Sequence, residues 1–123
     1  MTTRKKILLV DDADTILLME RMILSKVYDI ATAKDGEEAV QKASSEAPDL
    51  ILLDVVMPKM DGFQACQAIR QQERTKNIPI IMVTTRGEAG SVETGFKNGC
   101  TDYITKPINS LELLSKVRNY IGG

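Results

Sequence analysis

The chain has 123 residues, 43% hydrophobic and 27% charged, which is the balance of one globular domain with a buried core. Its formal net charge of −1 gives no electrostatic reason to expect nucleic acid or a membrane surface as a partner. The sequence contains no histidine, which excludes a phosphohistidine, a Ser-His-Asp triad or an imidazole-bound metal on this chain.

The two cysteines, Cys66 and Cys100, are too few for a disulfide framework or a cysteine-rich metal site, and reduced thiols are expected. No apolar run is long enough to cross a bilayer, and no signal peptide is visible after Met1. We therefore expect a cytoplasmic protein that does not bind membranes.

The first predicted unit is a strand at residues 7–10, followed by Asp11 and Asp12 and by a helical pattern over residues 13–26. Spacings of three and four residues predict that Ile16, Met19 and Ile23 face inward from this helix. Residues 28–33 predict a second strand.

The second helix is predicted to begin at Asp35 and to end at Ser45. Asp35 is a plausible N-cap, and Glu38 lies three residues later, as in a capping box. The third strand, residues 50–54, is apolar until Asp54, which is typical of a strand buried on both faces.

A turn at Pro58 is predicted after this strand, followed by a third helix from Gly62 to about Glu73. The fourth strand, residues 80–83, ends before Thr84. A fourth helix is predicted over residues 86–98, and it is expected to be weak because an interior glycine costs on the order of 0.5–1 kcal/mol relative to alanine. Its glycines are Gly87, Gly90 and Gly95.

The last unit is a strand at residues 102–105, followed by Lys106 and by a helix capped by Asn109 or Ser110. The residues predicted to face inward from this helix are Leu111, Leu114, Val117 and Ile121. Five strands that alternate with five helices predict an α/β fold, with one parallel sheet and helices on both faces.

Polar side chains follow four of the strands, and the carboxyl ends of parallel strands lie at one edge of a sheet. Three carboxylates, a hydroxyl and an ammonium should therefore converge there, from Asp11, Asp12, Asp54, Thr84 and Lys106. Crowded carboxylates favour a bound cation, and ligand sets made only of oxygen select a hard ion such as Mg²⁺. A carboxylate in this setting can act as a nucleophile toward phosphorus.

The sequence resembles the receiver domain of two-component response regulators, of the single-domain CheY-like kind. The resemblance covers essentially the whole chain and is carried, in order, by the motifs ILLVDD, LLDVVMPKMDG, IIMVTT and DYITKP. It implies a flavodoxin-like (βα)5 fold, doubly wound, with strand order 2-1-3-4-5. It also implies one receiver domain over residues 1–123, with no output domain in this chain.

The resemblance assigns Asp54 as the phosphoacceptor. It places Mg²⁺ on Asp11, Asp12, Asp54 and the backbone carbonyl of Val56. Lys106 would pair with the phosphoryl oxygens, and the Lys106–Pro107 peptide bond would be cis.

Two further residues would form the switch of such a receiver. Thr84 would move to bond the phosphoryl group, and Tyr103 would rotate inward as Thr84 moves. The surface of helix four, strand five and helix five would then change shape.

The implied partners are a sensor histidine kinase or a histidine phosphotransfer protein as donor, and a downstream effector protein as target. Direct nucleic-acid binding is not expected.

Two residues that flank the site vary within the family and would tune hydrolysis, Val56 and Arg86. An apolar Val56 predicts slow self-dephosphorylation. Leu17, Leu18 and Met22 lie off the predicted inward stripe of the first helix and suggest a docking patch for the donor.

Three alternatives compete with this interpretation. A phosphatase of the haloacid-dehalogenase type would carry a second aspartate at position 56, which is Val56 here, and would need room for a cap. A receiver-like scaffold that works without phosphate would have lost acidic, Thr or Lys positions. A flavin- or nucleotide-binding module would carry a glycine-rich phosphate loop, and this sequence has none.

Overall fold

A computed structural model describes residues 4–57, 59–85 and 89–123, without the side chains of residues 89–91. Strands and helices alternate along these ranges: β1 (Lys6–Val10), α1 (Asp14–Leu24), β2 (Asp29–Ala33), α2 (Gly36–Ser45), β3 (Leu50–Asp54), α3 (Gly62–Gln71), β4 (Ile80–Thr85), α4 (Ala89–Lys97), β5 (Asp102–Lys106) and α5 (Ser110–Ile121). All strand pairs are parallel, and the sheet order β2-β1-β3-β4-β5 confirms the predicted fold.

The sheet is covered on both faces, which explains why the central strands are apolar without alternation. On one face, α1 and α5 pack through Leu17, Leu24, Leu113 and Val117. On the other face, α2 and α3 contribute Ala39, Ala43, Ala65, Cys66 and Ile69. Polar residues are therefore left to the ends of the strands, where the site lies.

Helix α1 is rotated relative to the sequence prediction. Its buried residues are Leu17, Glu20 and Leu24, whereas Met19, which was predicted to face inward, is exposed. The helix carries large apolar residues on more than one face. Periodicity alone therefore supports two choices of inward face, which differ by one residue, or by a rotation of the helix of about 100°. Packing against the sheet selects the phase that buries Glu20.

Side-chain caps fix the starts of three helices, α2, α3 and α5. Asp35 accepts a hydrogen bond from Glu38 N, which confirms it as the N-cap of α2. The reciprocal half of the predicted capping box is not formed, because the Glu38 carboxylate accepts from Lys34 N instead, at 2.7 Å. A complete capping box occurs in α3, between Asp61 and Gln64.

Helix α5 begins at the predicted cap, since Asn109 accepts a hydrogen bond from Glu112 N. Its buried residues are Leu113 and Val117. Leu111 was predicted to be buried, but it is among the most exposed large apolar residues in the described chain. The other two predicted inward residues, Leu114 and Ile121, are partly buried against the core.

Predictions for Pro58, Arg86 and Gly87 fall outside the described residues. Gly95 lies on the buried face of α4, where an added Cβ would meet Cys100 Sγ at 3.1 Å. The expected weakness of α4 stays a prediction. The Lys106–Pro107 bond is cis, as expected. In the described ranges, no helix has the length and apolar character needed to cross a membrane.

Candidate functional site

The residues that end β1, β3 and β5 meet at one edge of the sheet. Asp11 and Asp12 directly follow β1, Asp54 is the last residue of β3, and Lys106 is the last of β5. Each of the three aspartates offers a carboxylate oxygen, and these oxygens all lie within 4.8 Å of one another. The convergence of the three carboxylates, which was predicted from the strand ends, is confirmed.

Lys106 is the cation that contacts two of these carboxylates. Its Nζ lies 3.1 Å from Asp54 Oδ1, as a hydrogen-bond donor, and 3.4 Å from Asp11 Oδ2. Burial by itself would lower the pKa of Lys106, but the hydrogen bond to Asp54 and the charges of both carboxylates outweigh it and raise this pKa. Lys106 is therefore held as an ammonium beside Asp54.

Asp54 is buried and faces more negative than positive charge. Desolvation, and then the charge of Asp11, raise the pKa of Asp54 to about 6, although Lys106 acts in the opposite direction. At neutral pH most of this carboxyl is still ionised. Asp54 is consequently a poorly hydrated carboxylate beside a fixed ammonium. The ionised form of the side chain is the one that can act as a nucleophile.

These residues also fit a divalent cation. Three carboxylates face one ammonium, so negative charge is in excess, and Asp11 Oδ2 is buried and accepts no hydrogen bond from the described residues. Its other oxygen, Oδ1, accepts from Ala13 N at 2.9 Å and is thereby oriented. A site made only of carboxylate oxygens suits Mg²⁺ better than a soft metal.

The two residues of the predicted switch, Thr84 and Tyr103, lie on β4 and β5, the strands that follow β3 in the sheet. Asp54 of β3 is the register partner of Val83 in β4. The buried Thr84 follows Val83, so it lies one residue farther along β4 than the position opposite Asp54. The ring of Tyr103 contacts Phe96 of α4 edge-to-face, with centroids 6.3 Å apart. Lys116 Nζ of α5 lies 5.0 Å from the centre of the same Tyr103 ring.

A family model described as the response regulator receiver domain matches residues 7–118. The chain belongs to this family. Its curated relatives include the alkaline phosphatase synthesis transcriptional regulatory protein PhoP of Bacillus subtilis (strain 168), which is 44% identical over 115 residues. That match covers 93% of this chain but 47% of the relative, so the receiver domain spans about half the length of that protein.

Solved structures of CheY-like receiver domains have the same fold. The chemotaxis response regulator CheY4 of Vibrio cholerae is 37% identical, with a TM-score of 0.90 over 97% of this chain and all of that one. The receiver domain of sensor histidine kinase PA1611 from Pseudomonas aeruginosa PAO1 is 34% identical, with a TM-score of 0.88 over 98% of this chain and all of that one. That structure has a magnesium ion coordinated in its active site cleft.

The relatives do not support the expectation that nucleic acid is excluded as a direct partner. PhoP is named a transcriptional regulatory protein. The expectation rested on the net charge and on the apparent lack of an output domain in the receiver sequence. Neither observation bears on a protein longer than this chain.

The predicted docking patch on α1 is confirmed as exposed at two of its three residues. Leu18 is 58% exposed and Met22 is 67% exposed, but Leu17 is buried in the core, so its inclusion was wrong. Met19 is exposed and lies on the same surface as Leu18 and Met22. A groove of about 390 Å³ is lined by Thr15, Leu18, Met19, Met22, Ile23 and Ser110.

The two residues expected to tune hydrolysis are only partly tested by the structure of this receiver. Val56 is highly exposed two residues after Asp54, where it offers no hydrogen-bonding side chain to an attacking water. Arg86 lies outside the described residues. Slow self-dephosphorylation therefore stays a prediction, and so does the role of the Val56 carbonyl as a metal ligand.

Sequence reasoning missed one ionisable residue near the site, Glu20. Its side chain is buried in the face of α1 that packs on the sheet. The available signal was its spacing, three residues after Leu17 and four before Leu24, which places all three on one helical face. A glutamate on an inward face is uncommon, so a search for apolar residues at helical spacing does not find it.

Proposed function

We propose that this receiver domain is a phosphorylation-activated signalling switch. Asp54 accepts a phosphoryl group from the phosphohistidine of a sensor histidine kinase or of a histidine phosphotransfer protein. The observation that carries the proposal is the buried Asp54 carboxylate beside the Lys106 ammonium, within a cluster of three carboxylates. The family and the CheY-like neighbours support it.

The chemistry is a direct displacement at phosphorus. An oxygen of Asp54 forms the new P–O bond while the P–N bond to the donor histidine breaks, and the imidazole leaves with the electron pair. The product is an acyl phosphate on Asp54. The receiver catalyses only this reaction and the later hydrolysis, in which water attacks the phosphorus and regenerates the carboxylate.

The chain's own groups orient and stabilise the transferred group. Asp11, Asp12, Asp54 and the Val56 carbonyl would hold Mg²⁺, which when bound would offset negative charge on the phosphoryl oxygens. Lys106 lies 3.1 Å from the nucleophile and can pair with a second phosphoryl oxygen. Thr84 can donate its hydroxyl to a third, since it is one residue beyond the level of Asp54.

The phosphoryl group then alters the surface formed by α4, β5 and α5. It carries a charge of roughly −2 near pH 7, as other phosphoryl groups do, in place of the single negative charge of the Asp54 carboxylate. Movement of Thr84 toward that charge would leave space for Tyr103, whose ring joins Phe96 of α4 to Lys116 of α5. Rotation of one ring can therefore change both helices, and a downstream protein would bind the changed surface.

Intact mass spectrometry tests this function directly. The whole chain is incubated with acetyl phosphate, with Mg²⁺ or with a chelator, and sampled at times short enough to detect a labile adduct. We expect a mass increase of one phosphoryl group in the presence of Mg²⁺ and essentially none with the chelator. No adduct under either condition would favour a scaffold that works without phosphate.

We further propose that the phosphohistidine partner docks in the α1 groove. The groove begins at Thr15 in the first turn of α1, three residues after Asp12, so a partner seated there would reach Asp54. Leu18→Asp should slow transfer from a histidine kinase that phosphorylates the wild type, on the order of 10-fold or ~1.4 kcal/mol. Transfer rates are compared with acetyl phosphate as the control donor, and equal slowing with both donors would contradict docking at this groove.

A further inference from the structure

Lys116 of α5 contacts the aromatic ring of the proposed switch, and neither the phosphoryl transfer nor the cation site uses it. Its Nζ donates one hydrogen bond to Asp102 Oδ1, at 3.2 Å, and another to the Tyr103 carbonyl oxygen, at 2.6 Å. The same nitrogen lies over the Tyr103 ring, 5.0 Å from its centre. An ammonium has three N–H donors, so the two hydrogen bonds fix its position and leave the third to face the ring.

Asp102 holds this ammonium in place. Its carboxylate also accepts hydrogen bonds from Tyr103 N at 2.7 Å and from Tyr120 Oη at 2.9 Å. The side chains of Lys116 and Asp102 are 27% and 24% exposed, so the ion pair is partly removed from water. A cation–π contact is stronger when the cation is desolvated. Lys116 therefore attracts the ring more strongly than a fully exposed lysine would.

The Tyr103 ring lies on the face of the sheet that carries Thr84. In the register of β4 and β5, Tyr103 is opposite Met82, and Thr84 lies two residues after Met82. Because side chains alternate along a strand, Met82 and Thr84 point to the same face. Tyr103 packs against the core cluster that contains Met82. The ring is therefore a diagonal neighbour of the hydroxyl that is proposed to move.

Lys116 reaches this ring from the other face of the sheet. Helix α5 packs on the face opposite to α3, and β5 is the edge strand, so a long side chain of α5 can pass around that edge. Phe96 of α4 meets the ring edge-to-face, with centroids 6.3 Å apart. Inward rotation of the ring would break the cation–π contact. It would keep both hydrogen bonds of Lys116, because their acceptors are the Asp102 carboxylate and a backbone carbonyl.

We propose that Lys116 is a positioning residue of the switch, which holds the Tyr103 ring at the edge of the sheet in the unphosphorylated chain. The inference rests on the proposed function and names the contact that opposes activation. An interaction made in only one of two states shifts the equilibrium toward that state. Lys116 thus keeps the active fraction low before phosphorylation, and the phosphoryl group must offset this contact.

Titration with beryllofluoride tests this role, because beryllofluoride with Mg²⁺ binds an aspartate as a stable mimic of the phosphoryl group. Isothermal titration calorimetry gives its affinity for the whole chain. Lys116→Met should bind beryllofluoride about 5-fold more tightly than the wild type, since activation no longer breaks a cation–π contact. The loss of a positive charge would by itself weaken the binding of an anion, so the expected sign is specific to the proposed role.

Tyr120→Phe is the matched control. It removes another hydrogen bond to Asp102 but leaves the ammonium over the Tyr103 ring. Because the contact that favours one state is kept, this variant should bind beryllofluoride within about 2-fold of the wild type. If Lys116→Met fails to fold, Lys116→Gln keeps a hydrogen-bond donor without the charge and should show the same gain in affinity.

A double-mutant cycle shows whether the effect passes through the ring. Tyr103→Leu removes the aromatic face, so Lys116→Met in that background should change the affinity by less than about 2-fold. Nuclear magnetic resonance gives a second measurement. The Tyr103 ring signals of free Lys116→Met should lie closer to those of the wild type saturated with beryllofluoride. A residue with a purely structural role would lower stability and weaken binding.

The outcomes distinguish this inference from the proposed function. Unchanged or weaker binding by a folded Lys116→Met variant would overturn the role of Lys116 and leave the function intact. An equal gain in the Tyr103→Leu background would also overturn it, because the effect would then not depend on the ring. A wild-type chain that binds no beryllofluoride in Mg²⁺ would overturn the proposed function, and the role of Lys116 with it.

Discussion

Asp54→Asn should abolish the Mg²⁺-dependent phosphoryl adduct that the wild type forms with acetyl phosphate. The amide is nearly the same size as the carboxylate but has no anionic oxygen to attack phosphorus. The measurement is intact mass at early times. Asp29→Asn is the matched control, because Asp29 is exposed at the start of β2, the opposite edge of the sheet, and this variant should be phosphorylated like the wild type.

The same variant should be more stable than the wild type when metal is removed. The pKa of Asp54 is raised to about 6 in the folded chain, from the ordinary value of 3.8, so the folded state holds the proton more tightly than the unfolded state. Ionisation therefore destabilises the fold as pH rises from about 4 to about 6. At pH 7 in a chelator, Asp54→Asn should raise the free energy of unfolding by roughly 1–3 kcal/mol.

This gain in stability should disappear below about pH 4, where the carboxyl is protonated in both states. Urea unfolding at pH 7 and near pH 3.5 measures the difference. Since a misfolded variant would not gain stability, the result also shows that loss of the adduct is chemical and not a folding defect. A phosphoryl adduct on Asp54→Asn at wild-type occupancy would show that another residue is the acceptor.

Gly62→Ala should destabilise the domain by about 3 kcal/mol, because α3 begins in close contact with the strand that carries Asp54. A Cβ at position 62 would lie 2.3 Å from the Asp54 carbonyl oxygen and 2.9 Å from Val55 Cα. Both atoms are backbone, so no side chain can move aside. Either α3 or the end of β3 must shift, which should also slow phosphorylation of Asp54.

The matched control for this substitution is Gly95→Ala in α4. There the closest atom to the added Cβ is Cys100 Sγ at 3.1 Å, followed by Met82 Cγ at 3.5 Å. Both belong to side chains, and alanine gains about 1 kcal/mol of helix propensity over glycine. We expect Gly95→Ala to unfold within ~1 kcal/mol of the wild type in urea. Equal stability of the two alanine variants would contradict the close approach of α3 to β3.

Much of the fold and the centre of the site could be predicted without coordinates. Strands that end in polar residues and alternate with helices require a parallel sheet, and a parallel sheet collects its carboxyl ends at one edge. Asp11, Asp12, Asp54 and Lys106 were therefore found by an argument about strand ends. The resemblance then supplied their expected roles and the order of the strands.

The helix surfaces could not be predicted in the same way. The segment from Ile16 to Leu24 contains apolar residues on several faces, and the sequence alone permitted the phase that exposes Leu17 as well as the phase that buries it. A shift of one residue rotates a helix by about 100°, so a small error in phase moves a residue from the surface to the core. The same ambiguity misplaced Leu111 in α5.

The sequence by itself determined which chemical groups lie at the carboxyl edge of the sheet, because each strand and the polar residue at its end can be identified locally along the chain. Only the tertiary structure decided which side of α1 is buried. That decision depends on how the whole helix packs against β1 and α5, and it placed Glu20 in the core and Leu18 in the groove. Burial of an ionisable group is a property of its neighbours, which a periodic pattern of residues does not contain.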